Sequence, residues 1–208
     1  MILVIGTPNS GKSVLAEELA IKTHAPVRYY LATMEVRDEA GLRRVAKHRR
    51  QREGKGFVTI ERTCDITKAL SEIKDASRSV VLLECMANLV GNEMHRAGGL
   101  EEDRLADRIM DDIQFLAAHV RHLIVVTDEY EKDDRGYDDE TRTYVRLLDL
   151  VNGKLMECAD AVYRRCVYSS AMAPVHEREE RIQTVEDNQM DGSLFFNVQP
   201  DSDDAPDI

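Results

Sequence analysis

The chain has 208 residues, 43% hydrophobic and 32% charged, which allows one substantial core and is too short for two generous domains. A formal charge of −11 and a pI near 5.1 exclude a surface built for duplex nucleic acid or an anionic membrane, since most of the molecule would be repelled. No segment approaches the roughly 18 consecutive apolar residues that a membrane span requires. The N-terminus lacks a basic lead and a long apolar run, so a cytoplasmic location is expected. Cys64, Cys85, Cys158 and Cys166 show no C-x-x-C spacing and read as reduced thiols in or near the core.

The first predicted strand covers 2–5, the apolar run Ile2-Leu3-Val4-Ile5, and a helix is predicted over 13–22. Between them, Gly6-Thr7-Pro8-Asn9-Ser10-Gly11-Lys12-Ser13 satisfies G-x-x-x-x-G-K-[ST] at every fixed position. Such a loop turns its backbone N–H groups and a helix N-terminus toward the β- and γ-phosphates of a nucleoside triphosphate. Lys12 would neutralise those phosphates, and the Ser13 hydroxyl would ligate Mg²⁺. The bland alternative, an ordinary Gly-rich turn, is weakened by the strand before the loop and the helix after it.

Further strands are predicted at 27–31, 58–61, 79–84, 122–127 and 161–167, and helices at 37–52, 65–75, 86–94, 101–119 and 139–158. This alternation predicts an α/β domain over 1–180, a mostly parallel sheet flanked by helices. Ligands in such sheets lie at the carboxyl ends of the strands, which singles out Gly6, Ala32-Thr33, Glu61, Glu84 and Asp128-Glu129. Residues 128–140 hold eight acids among thirteen residues and read either as an active-site rim or as a solvated connection. Beyond Arg181 there are seven acids and no Lys or Arg, so 181–208 is expected to be an acidic, partly disordered tail. Leu194-Phe195-Phe196-Asn197-Val198 stands out within it as a possible edge strand or docking segment.

The predicted helix 37–52 is unlike the rest of this acidic protein. From Arg43 to Lys55 it and its exit carry seven cations in thirteen residues, with His48 among them. Arg44 and Arg52 lie one turn before and after His48, while Leu42, Val45 and Ala46 are expected to face the sheet. His48 is then expected to look outward into a positive field that keeps its ring neutral. A neutral imidazole among guanidiniums suits nucleophilic attack on phosphorus, and an exposed histidine on a solvated helix is the competing reading.

The order of these pieces resembles the bifunctional adenosylcobinamide kinase / adenosylcobinamide-phosphate guanylyltransferase family. The likeness runs from the phosphate loop through Tyr30-Leu31-Ala32-Thr33, Arg44-Val45-Ala46-Lys47-His48-Arg49, Thr59-Ile60-Glu61 and Leu82-Leu83-Glu84-Cys85. It continues through Val125-Val126-Thr127-Asp128-Glu129 and Asn152, Leu155, Ala159 and Asp160, covering about 1–170. The resemblance implies a three-layer P-loop fold like that of recombination ATPases, a homotrimer, and the substrates adenosylcobinamide and its phosphate. It implies ATP or GTP as phosphoryl donor, GTP as guanylyl donor, and Mg²⁺. His48 falls on the histidine that becomes guanylylated, and Gly6 to Ser13 fall on the phosphate loop. Ala32, Thr33, Met34 and the run Arg49, Arg50, Gln51, Arg52 fall on nucleotide-binding stretches, and Glu61 and Glu84 on nucleotide-binding carboxylates. Either acid could instead hold Mg²⁺ through water or simply face solvent at a strand end. Thr7, Asn9, Met34 and most of Asp128 to Glu131 depart from the family pattern, so the chain resembles a divergent member. The alternatives are a P-loop kinase acting on another alcohol without guanylyl transfer, and a nucleotide-binding regulatory module.

Overall fold

Apolar residues alternate in direction along each central strand, and both faces of the resulting sheet are covered. In the computed structural model, which describes residues 1–130, 136–168 and 176–182, the strands are β1 (Ile2–Gly6), β2 (Val27–Ala32), β3 (Phe57–Glu61), β4 (Ser79–Glu84), β5 (His122–Asp128), β6 (Ala161–Tyr168) and β7 (His176–Ile182). Their order is β3-β2-β4-β5-β1-β6-β7, parallel throughout except for the antiparallel β6–β7 pair. The helices are α1 (Lys12–Lys22), α2 (Glu39–Arg52), α3 (Met86–Arg96), α4 (Glu102–His119) and α5 (Asp139–Cys158).

On one face Val4, Tyr30, Leu82, Ile124 and Val126 pack against Leu15, Ala16 and Ala20 of α1. On the other, Leu3, Ile5, Leu31, Leu83 and Val125 pack against α3, α4 and α5 through residues such as Met86, Ile113 and Leu147. Each fully buried aliphatic side chain contributes about 1.5–3 kcal/mol, so this double-sided core fixes the strand ends that carry the site. The expected three-layer α/β architecture is therefore present.

Four expectations need correction. The helix predicted at 65–75 is instead a 3-10 turn over Ile66–Ser71 followed by a second over Ala76–Arg78. Asp65 and Asp75 adopt left-handed backbone (φ 50° and 56°), which a continuous helix cannot accommodate. Leu42, Val45 and Ala46 do not dock on the sheet: no residue of α2 joins either core cluster, and Leu42 is 58% exposed. Cys158 is exposed rather than near-core, whereas Cys64 and Cys85 are half-buried. Residues 176–182 pair with β6 as an antiparallel strand that the sequence reading lacks. The acidic run at 131–135, the side chain of Cys166, and the tail beyond 182 with its 194–198 segment, for which the sequence also gives expectations, lie outside the described residues.

Candidate active site

The carboxyl end of β1 opens into the phosphate loop. Gly6 sits in one rung of the sheet between Asp128 of β5 and Arg165 of β6. The loop turns through Asn9 (φ 61°) and Gly11 (φ 81°) before α1 begins. At Gly11 a Cβ would lie 2.8 Å from Arg165 Nη1, and that guanidinium donates to the Gly11 carbonyl at 3.2 Å, so a side chain there would meet both backbone strain and a clash. Pro8 and Asn9 are exposed at the tip, and Ser10 is buried with its Oγ unpartnered.

Lys12 is 6% exposed and its ammonium donates to the Thr7 carbonyl at 2.6 Å while pairing with Asp128 Oδ1 at 2.9 Å. Ser13 Oγ donates to Glu84 Oε1 at 2.6 Å, across from α1 to the end of β4. Burial pushes the Glu84 carboxyl up to about 7, against the opposing pull of the Ser13 hydrogen bond and of Lys12. Its second oxygen, Oε2, is buried without a partner. A hydroxyl and an orphaned carboxylate oxygen on one side of the loop fit a hard, oxygen-seeking cation held together with phosphate oxygens and waters. Among the described residues there is no cluster of three or more His, Cys, Asp or Glu able to hold a metal unaided.

Two of the predicted nucleotide residues on β2 adjoin this centre. Ala32 ends the strand, and Thr33 is buried, its N–H donating to the Glu84 carbonyl at 3.1 Å and its hydroxyl to the Cys85 carbonyl at 2.8 Å. Asn92 of α3 donates to the Thr33 carbonyl at 2.9 Å and to the Thr63 carbonyl at 3.0 Å, stapling the two loops. Met34 is half-buried just beyond.

The remaining candidates form a second group around α2. Asp38 caps this helix by accepting from the Gly41 N–H at 2.6 Å. Arg49 reaches Glu61 at the end of β3, 2.8 Å away, in a pair that is exposed on both sides. Arg50 is exposed, and Gln51 is half-buried with an unpartnered Nε2. Arg52 is buried: its guanidinium carbon lies 3.4 Å from the centre of the Tyr30 ring, and Nη2 contacts Thr59 Oγ1 at 3.5 Å. In this geometry it anchors the helix rather than facing a nucleotide.

His48 does not look freely outward, as its helical position suggested. It is half-buried, and its Nδ1 is shielded from solvent without a partner. Its pKa is lowered first by burial and then by Arg52, Lys47 and Arg44, so the neutral ring is favoured, with desolvation rather than the cations as the largest cause. No described hydrogen bond or ion pair joins His48 to residues 6–13. The structure thus unites the phosphate loop with Glu84, Thr33 and Asp128, and gathers His48, Arg49, Arg52 and Glu61 into a neighbouring group. Asp128 as the partner of Lys12 escaped the sequence reading because the strand order that puts β5 beside β1 is not written in local pattern.

The family model for "Cobinamide kinase / cobinamide phosphate guanyltransferase" matches residues 2–168, most of the chain. The chain belongs to this family. Its members are transferases, and membership carries nucleotide binding and a place in cobalamin biosynthesis. No curated protein matches the sequence. Among solved structures, it is similar to the KaiC-like protein PH0186 from Pyrococcus horikoshii OT3, with 10% identity, TM-score 0.51, and coverage of 89% of this chain and 80% of that one. It also matches the flagellar accessory protein FlaH from Methanocaldococcus jannaschii at 13% identity and TM-score 0.46, covering 88% and 77% of the two chains. The first of these likenesses speaks for the fold, in line with the strand order and phosphate loop. No helix among the described residues is long and apolar enough to cross a membrane.

Proposed function

We propose that this cobinamide kinase / guanylyltransferase family member carries out both reactions, using one triphosphate loop and His48 as a covalent nucleotide carrier. In the first, the aminopropanol oxygen of adenosylcobinamide takes the terminal phosphoryl group of a nucleoside triphosphate, its hydroxyl proton passing to water and the nucleoside diphosphate leaving with the electrons of the broken P–O bond. The loop amides and Lys12 hold the triphosphate and spread its charge as the bond to the departing diphosphate lengthens. Ser13 and Glu84 would hold Mg²⁺, which when bound would supply further neutralisation of phosphate charge.

In the second reaction a lone pair of the neutral His48 ring attacks the α-phosphorus of GTP. An N–P bond forms, the bridge to the β-phosphate breaks, and pyrophosphate leaves with the electron pair. A phosphate oxygen of adenosylcobinamide phosphate then attacks the same phosphorus, and the N–P electrons return to the ring. Splitting one transfer into two lowers each barrier. Glu61, exposed at the end of β3 beside Arg49, supplies a carboxylate able to accept from the guanine N1–H and N2–H₂.

The observation that carries this reading is the half-buried, neutral His48 ring with an unpartnered nitrogen, surrounded by Arg44, Lys47 and Arg52. α2 belongs to neither core cluster, so the placement of His48 relative to the loop depends on the polar contacts near the carboxyl end of the helix. GTP labelled at the α-phosphate is expected to leave acid-labile, base-stable label on the protein, with His48→Ala abolishing the label and sparing triphosphate binding. Label retained in His48→Ala refutes the carrier role. Transfer of γ-phosphate with no adduct in the wild type points to the kinase-only alternative.

A further inference from the structure

Among the described residues, one charged side chain is completely buried and has no part in the chemistry above. Glu17, on the second turn of α1, is 0% exposed. A carboxylate removed from water is strongly destabilising unless paired. Its partner is Lys55, whose Nζ donates to Glu17 Oε2 at 2.6 Å and is itself 30% exposed; Glu17 Oε1 is buried and unpartnered.

Lys55 is held unusually firmly for a surface lysine. It stands at the tip of the turn that joins α2 to β3, between Gly54 (φ 76°) and Gly56 (φ 72°), both in backbone that side chains rarely adopt. Its N–H donates to the Arg52 carbonyl at 3.1 Å, and its own carbonyl accepts from Arg28 Nε at 3.1 Å. A Cβ at Gly56 would lie 2.8 Å from an Arg28 guanidinium nitrogen, so Arg28 packs directly against this turn. The ammonium is therefore a fixed extension of the carboxyl end of α2, and it enters the side of the helix that begins with Lys12 and Ser13. Arg52, stacked on Tyr30, secures the same end from the sheet. At the other end of α2 there is only the Asp38 cap and an exposed connection.

We infer that Glu17 and Lys55 are a positioning pair: they latch the carboxyl end of α2 to the phosphate-loop helix and so set where His48 meets the triphosphate. This rests on the His48 reading above. His48 lies one turn before Arg52, close to the latched end, so its placement relative to α1 follows from the latch, whereas the amino end of α2 is free to pivot. Neither Glu17 nor Lys55 touches substrate. Their loss misplaces the nucleophile without altering the loop that grips phosphates, and a displacement of about 1 Å costs about 10²-fold in a reaction that depends on alignment.

The full-length protein carrying Lys55→Met, with Glu17→Gln as a second variant and Lys55→Arg as the conservative one, tests this. In Lys55→Met the first-order rate of adduct formation from α-labelled GTP is expected to fall about 10²-fold. Triphosphate affinity and γ-phosphoryl transfer to the acceptor alcohol are expected to stay at wild-type level, with Lys55→Arg restoring most of the adduct rate. Amide hydrogen exchange across 39–52 is expected to quicken in Lys55→Met and Glu17→Gln while that of β1 and β5 stays constant. Adduct formation and exchange both at wild-type rates in Lys55→Met overturn the proposal. So does a parallel loss of affinity and of both reactions, which marks the pair as mere support for the fold. If the wild type forms no adduct at all, the His48 reading fails, and the exchange measurement alone decides whether the latch exists.

Discussion

The phosphate loop and α2, to which the proposed function assigns its two halves, are built in opposite ways. The loop springs from β1, a strand with neighbours on both sides and apolar cover on both faces, and its lysine and serine are already engaged by Asp128 and Glu84. The basic helix has no share in the core and is held by polar contacts near its carboxyl end. The loop is thus fixed by the sheet core, whereas the placement of His48 is left to a few polar contacts. The difference separates what stabilises the fold from what the proposed chemistry would need to align.

The largest effect expected to test that contrast is on the rigid side. Lys12→Ala should lower both phosphoryl transfer and adduct formation by about 10³-fold, since the proposed function places a triphosphate in the same loop for each. Steady-state kinase turnover and label incorporation, measured on protein whose circular dichroism is unchanged, check this; retained kinase turnover would separate the two sites. Next comes the core. Ile124→Ala, under α1 and fully buried, should cost about 3 kcal/mol in urea unfolding.

A smaller effect comes from Glu84. Its carboxyl, pushed up to about 7 from an ordinary 4.5, keeps a proton in the folded state that the unfolded chain has released. Between about 4.5 and about 7 the unfolded state therefore binds fewer protons, and the stability of the nucleotide-free protein should fall as pH rises through that window and level off above it. Glu84→Gln should flatten the profile in thermal unfolding scans. The smallest effect is on the side outside the core: Leu42→Ala, at a 58% exposed position, should change stability by no more than about 0.5 kcal/mol. A loss as large as that at Ile124 would show that α2 is packed after all, and the contrast would dissolve.

The parts legible in the sequence follow the same division. β1, β2, β4 and β5 are short apolar runs buried on two faces, and the phosphate loop is specified by backbone chemistry that leaves a fixed signature. Both could be read because strong local pattern and tertiary context agree. The 65–75 segment misled because Ile66, Ala69 and Ile73 have helical spacing and are indeed buried, while Asp65 and Asp75 turn the chain into short 3-10 pieces. On α2 the same spacing of Leu42, Val45 and Ala46 suggested a docked face that no partner element supplies. The β7 stretch, His-Glu-Arg-Glu-Glu-Arg-Ile, has a single aliphatic residue, so its pairing through backbone hydrogen bonds leaves almost no period-2 signal. Glu17 and Lys55 were invisible for a related reason: thirty-eight positions separate them, and only the folded turn at Gly54 and Gly56 aims one at the other.

The resting partners of Lys12 have a bearing on what the loop accepts. An arriving anion competes with the Thr7 carbonyl and the Asp128 carboxylate for that ammonium. The carboxylate on β5 already offsets part of the lysine's charge, so it moderates how strongly the empty loop attracts any anion.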